Sequence, residues 1–101
     1  MSDKDLNQPE VFYDMSEEDR KTLLDWISCN LIPIKSFNTK HSSYRLKHIL
    51  EADIGFYCTN GEFKGAMLES GYKVQNRNEL NWNFNVSAKS PGIVRYNKKF
   101  I

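Results

Sequence analysis

The residues of this chain that offer chemistry are its lysines, arginines and asparagines, and the chemistry is ion pairing and hydrogen bonding to a ligand. His41 and His48 stand seven residues apart, with no cysteine or carboxylate completing a metal-ligand spacing around them. Cys29 and Cys58 sit in unrelated contexts and read as reduced thiols in or near the core. No GxSxG, Walker-type or HExxH motif occurs, so the expectation is a non-enzyme with no catalytic residue, no metal and no cofactor. The charges are segregated. Residues 1–34 hold eight acids against three bases and residues 35–101 hold eleven bases against five acids, although the whole chain nets only +1. Such a basic segment points to phosphate as a ligand.

Three groups make up the basic segment. Lys35, Lys40, His41, Ser43, Arg45 and Lys47 surround the start of one expected helix, and Lys73, Gln75, Asn76, Arg77 and Asn78 gather at a polar tip. Lys89, Arg95, Lys98 and Lys99 interleave with Tyr96 and Phe100 near the end of the chain. Between the first two groups lies a helix on which Asn60, Gly61, Lys64, Gly65 and Leu68 are expected to face outward, opposite Phe63, Ala66 and Met67. Asn60 would pair with adenine or hold a phosphate at free helix amides, and Lys64 would reach a phosphate or a guanine. Gly65 weakens the helix by ~1 kcal/mol relative to alanine, which suits either close approach to a groove or a contact that needs a small residue.

The elements that position these residues follow from caps and periodicity. A helix is predicted over roughly 16–31, capped by Ser16, with Leu23, Leu24, Ile27 and Leu31 on one stripe and Pro33 ending it. Ile34–Phe37 is short enough for a small strand. A second helix, Tyr44–Ile54, is capped by Ser42 or Ser43 and stopped by Gly55. Thr59 and Glu62 form a capping box for a third, which Gly71 ends. Tyr72 and Val74 alternate with polar residues before the tip, and Leu80, Trp82, Phe84 and Val86 alternate with Asn81, Asn83, Asn85 and Ser87 after it. That pattern predicts a β-hairpin with one buried face. Helix, short strand, helix, helix, hairpin is the order of an α+β winged helix-turn-helix protein, three helices followed by a hairpin wing.

With 101 residues there is room for one domain. The predicted organisation is a flexible arm over 1–14, the winged-helix domain over 15–90 and a basic tail over 91–101, with Val11, Phe12 and Tyr13 available to dock on the core. No apolar run approaches the ~20 residues that would span a bilayer. The polar, acidic start, MSDKDLNQPE, is unlike a secretory signal, so a cytoplasmic location is expected.

The segments SYRLKH, TNGEFKGAMLESGYK and NWNFNVS, within residues 43–88, resemble small winged-helix proteins of prophages and integrating elements of Gram-positive bacteria. The resemblance implies a regulator, a replication accessory or an inhibitor of a host enzyme. The leading expectation is therefore duplex-DNA binding through Asn60, Lys64, Gly65, Lys73, Gln75, Arg77, Arg45, Lys47, Lys98 and Lys99, with a homodimer left open. The alternative is an inhibitor of a host protein such as a nucleic-acid-targeting nuclease. Its surface would be Leu68, the Asn81, Asn83 and Asn85 ladder, and the acidic pair Glu17 and Glu18.

Overall fold

The computed structural model describes residues 5–100; the first four residues of the expected arm and the last of the expected tail lie outside that range. Three helices begin where the sequence places their caps. Helix α1 (Glu17–Asn30) opens on Ser16, whose hydroxyl accepts from the Asp19 amide, with Glu17, Glu18 and Asp19 in the first turn. The helix dipole favours negative charge there. Helix α2 (Ser43–Ile54) opens on Ser42 and stops at Gly55, whose φ of 70° is left-handed. Helix α3 (Asn60–Glu69) opens on the reciprocal Thr59–Glu62 capping box.

Two more helical elements stand where an arm and a tail are predicted. Pro9–Asp14 forms a 3-10 helix that buries Val11 and Phe12. Pro91–Phe100 forms helix α4, with Gly92 and Ile93 buried and Lys98 and Lys99 in the last turn. Proline suits a first helical turn and lysines suit a last one.

The β-hairpin is absent, and with it the α+β winged-helix class. Among the described residues there are four α-helices, one 3-10 helix and no β-strand, only single antiparallel bridges joining Pro33 to Val86, Ser42 to Asn83 and Val74 to Phe84. The alternation itself is real: Trp82, Phe84 and Val86 are buried. What fails is the pairing. The carbonyls of Trp82, Phe84 and Asn85 accept from the amides of Ser43, Asn38 and Ile34, so this segment leans on the α1–α2 connection. On the other side, the Gln75 amide donates to the Asn83 carbonyl at 3.0 Å. One rung further on, the Lys73 amide donates to the side-chain Oδ1 of Asn85 at 2.7 Å. Side-chain oxygens competing for main-chain donors interrupt a ladder in this way. Leu80, predicted to point inward with Trp82, is 61% exposed.

Helix α3 is the centre of the molecule. Asn60, Gly61, Phe63, Lys64, Gly65, Ala66 and Met67 are all buried. One side faces the apolar core with Leu23, Ile27, Leu46, Ile49, Leu50, Trp82 and Phe84. The other side, predicted to be free, lies under residues 6–12. A Cβ on Gly61 would collide with the carbonyls of Leu6 and Gln8, and one on Gly65 with the Pro9 carbonyl and the Phe12 side chain. The small residues are there for the arm. Gly65→Ala should therefore cost about 1–3 kcal/mol and lower the melting temperature by several degrees. Proteolysis within residues 5–14 should accelerate with it. An unchanged melt and an unchanged digestion pattern would mean that the arm does not pack on α3.

Candidate nucleic-acid interface

The residues predicted to enter a groove are not on the surface. Asn60 is buried, and its Oδ1 accepts from the Ser43 hydroxyl at 2.8 Å. Its amide hydrogens are shared among Asn7 Oδ1, the Leu80 carbonyl and Asn81 Oδ1. The helix amide that would hold a phosphate is taken as well, because the Gly61 N–H donates to the Leu6 carbonyl at 2.8 Å. Lys64 is 3% exposed. Its ammonium donates to the Asn7 carbonyl at 2.9 Å and lies 4.6 Å from the Trp82 ring centroid. Burial holds its pKa below the usual lysine value, with Asp5 opposing. The expected outward face of α3 is thus an internal contact, because the docked arm covers it.

The set named for a protein interface also disperses. Leu68 packs against the core as a partly buried residue. The asparagine ladder is turned to internal use: Asn81 accepts from Asn60, Asn83 donates to Gln75, and Asn85 donates to the Ile34 carbonyl. Glu17 and Glu18 remain exposed in the first turn of α1. Cys29 is exposed and Cys58 is buried, and both are free. Desolvation pushes the Cys58 thiol up to about 12, so it is unreactive at neutral pH. His48 is exposed. His41 is the buried one, and burial followed by the charges of Arg45 and Lys40 holds its pKa below the usual histidine value.

What the structure does bring together lies on α2, α4 and the 77–82 segment. A depression of about 590 Å³ is lined by Tyr44, Arg45, His48, Glu51, Ala52, Tyr96 and Phe100. Tyr96 and Phe100 also line a smaller one between α2 and α4, of about 160 Å³, with Asp53, Arg95 and Lys99. Tyr44 leads the other way, into a depression of about 360 Å³ with Leu6, Lys47, Tyr57, Asn60 and Leu80. Leu80 continues into a fourth that includes Arg77, Glu79 and Trp82. The shared residues make these one continuous surface. Six bases (Arg45, Lys47, Lys64, Arg77, Arg95 and Lys99) and four acids (Asp5, Glu51, Asp53 and Glu79) line it, and α1 contributes nothing to it.

The cations on this surface share one arrangement. Arg45 lies 5.5 Å from the Tyr96 centroid, Arg77 5.5 Å from that of Trp82, and Lys99 5.5 Å from that of Phe100. Lys47 lies 5.4 Å from Tyr44 and 4.9 Å from Tyr57. None of the four has an ion-pair partner among the described residues. A ring orients a cation without cancelling its charge, so the surface stays positive. Sequence reasoning found Arg45, Lys47, Arg77, Lys98 and Lys99 but missed their ring partners Tyr44 and Tyr57. The i, i+3 spacing of Tyr44 and Lys47 is the signal that was available.

No family model, no curated protein and no solved structure matches the chain. Among the described residues there is no group of three His, Cys, Asp or Glu that could hold a metal ion, and no helix is long and apolar enough to cross a membrane.

Asp53 fixes α4 to this surface. Its carboxylate accepts from Arg95 Nε at 2.9 Å, from Arg95 Nη2 at 2.6 Å and from Trp26 Nε1 at 2.8 Å, joining α1, α2 and α4. Hydrogen bonds from Arg95 are the main reason its carboxyl lies below the usual carboxylate range. The folded-state pKa is below the unfolded one, so the stabilisation is present above the unfolded value and lost as pH falls through the folded one. Asp53→Ala should lower stability at neutral pH by about 1 kcal/mol. Melting temperature followed from neutral pH to below about 4 should fall less steeply for the variant than for wild type. Parallel acid limbs would show that the pair does not stabilise the fold.

Proposed function

We propose that this protein binds DNA through the α2–α4 face, as a regulator or replication accessory without catalytic activity. The observation that carries the proposal is the set of four cations, Arg45, Lys47, Arg77 and Lys99, each lying against an aromatic ring and none held in an ion pair among the described residues. Cations of this kind serve phosphates, and the exposed parts of the rings serve sugars and bases. Lys98 adds charge at the same end of α4. Duplex reading by α3 forms no part of this mode, since Asn60, Lys64 and Gly65 are covered.

Binding to mixed genomic fragments, duplex and denatured, between low and moderate salt tests the proposal. Affinity should fall steeply with salt, with a slope of about −0.9 per phosphate contact on duplex and about −0.7 on single strands. Arg45→Ala and Lys99→Ala should each weaken binding and flatten the slope by roughly one contact, with melting curves close to wild type. Lys64→Ala, by contrast, should lower the melting temperature and leave the slope alone. Absence of binding to either form at low salt would remove the proposal and leave a protein as the partner.

A further inference from the structure

We propose that the depression around Lys47 is a seat for one unpaired nucleotide, so that the protein prefers DNA with an exposed base over a closed duplex. This rests on the DNA-binding reading of the same face and adds to it the form of DNA recognised. Lys47 is 8% exposed, yet its ammonium has no hydrogen-bond partner and no carboxylate among the described residues. The residue is covered along its stem, while the ammonium at its tip keeps contact with solvent. Here it has only two ring faces, those of Tyr44 and Tyr57, and its three donor hydrogens are left for a ligand. It lines a depression of about 360 Å³, within the size range of small-ligand sites.

The walls say what the ligand's uncharged part must be. Tyr57 is 65% exposed, Leu80 61%, Leu6 60% and Tyr44 50%. Four large apolar or aromatic side chains left this open around one unpartnered ammonium suit a flat, apolar-faced group joined to an anion. A nucleobase with its phosphate has that form, and an exposed aromatic ring stacks on any base. A base paired inside a duplex cannot present its face, so the depression selects unpaired ones. The neighbouring cations Arg45 and Arg77 belong to the two depressions that adjoin it, where the flanking phosphates of the same strand would continue.

Labelled thymidine homopolymer and a blunt hairpin duplex of equal length distinguish this site from general phosphate binding. Wild type should bind the homopolymer more tightly than the hairpin. Tyr57→Ala, at an exposed position that leaves the fold intact, should lose roughly tenfold on the homopolymer and less than twofold on the hairpin. Lys47→Met, which keeps the apolar stem, should behave like it. Lys98→Ala, outside the depression, should weaken both forms to a similar extent. If wild type binds both forms alike and Tyr57→Ala leaves both unchanged, the nucleotide seat is overturned while DNA binding stands. If wild type binds neither, the DNA reading falls with it.

Discussion

Helix α3 must be enclosed on two sides, and most of the architecture follows from that. Its core side takes Phe63, Ala66 and Met67, as any amphipathic helix would. Its other side carries Asn60, Gly61, Lys64 and Gly65, which cannot be buried against an apolar surface without leaving polar groups unpaired. The arm solves the problem with its own backbone. Leu6 offers a carbonyl to the Gly61 amide and Asn7 offers one to the Lys64 ammonium. The two glycines let the backbone come close enough to do so, and Phe12 closes the contact over Gly65. An arm predicted to be flexible thereby becomes part of the core, with Val11 and Phe12 buried.

A second constraint acts through Ser43, which is fully buried. Its hydroxyl donates to Asn60 and accepts from the Trp82 amide at 3.0 Å, while its own amide donates to the Trp82 carbonyl at 2.7 Å. The starts of α2 and α3 and the extended 82–87 segment are thus held by one side chain. The Asn60 amide reaches onward to the Leu80 carbonyl and to Asn81. The Leu80 carbonyl is thereby turned toward Asn60 rather than toward the residues before the tip. The same network that removes the hairpin leaves Leu80 on the surface, next to Tyr44, Lys47 and Tyr57.

Local signals were legible and non-local ones were not. Ser16, Thr59–Glu62 and Gly55 mark helix ends through bonds within a few residues, so capping chemistry locates them directly. The stripe of Leu46, Ile49 and Leu50 and the alternation of Trp82, Phe84 and Val86 state which face is buried. Alternation does not state what the segment pairs with. Five asparagines between residues 76 and 85 were a warning, because asparagine competes for main-chain groups and is depleted in strands. Helix α4 was also readable from Pro91, Ile93, Tyr96 and Phe100, at helical spacing behind a proline. The burial of Lys64 was not. Nothing local distinguishes a lysine that meets a distant carbonyl from one that meets solvent.

The candidate site inherits this division. Its cations stand out in the composition, since eleven of the fourteen bases lie after residue 34, but composition cannot say which of them remain charged and accessible. Lys64 is withdrawn beneath the arm and Arg95 is committed to Asp53. Arg45, Lys47, Arg77 and Lys99 are left, and each rests on a ring rather than a carboxylate. An ion pair would have lowered the field of this face and held each cation against release to a ligand. A ring restricts the side chain without neutralising it, so the loss of freedom on binding is smaller and the charge is kept for the phosphate. The surface that can act is therefore the one where folding left cations oriented but unpaired.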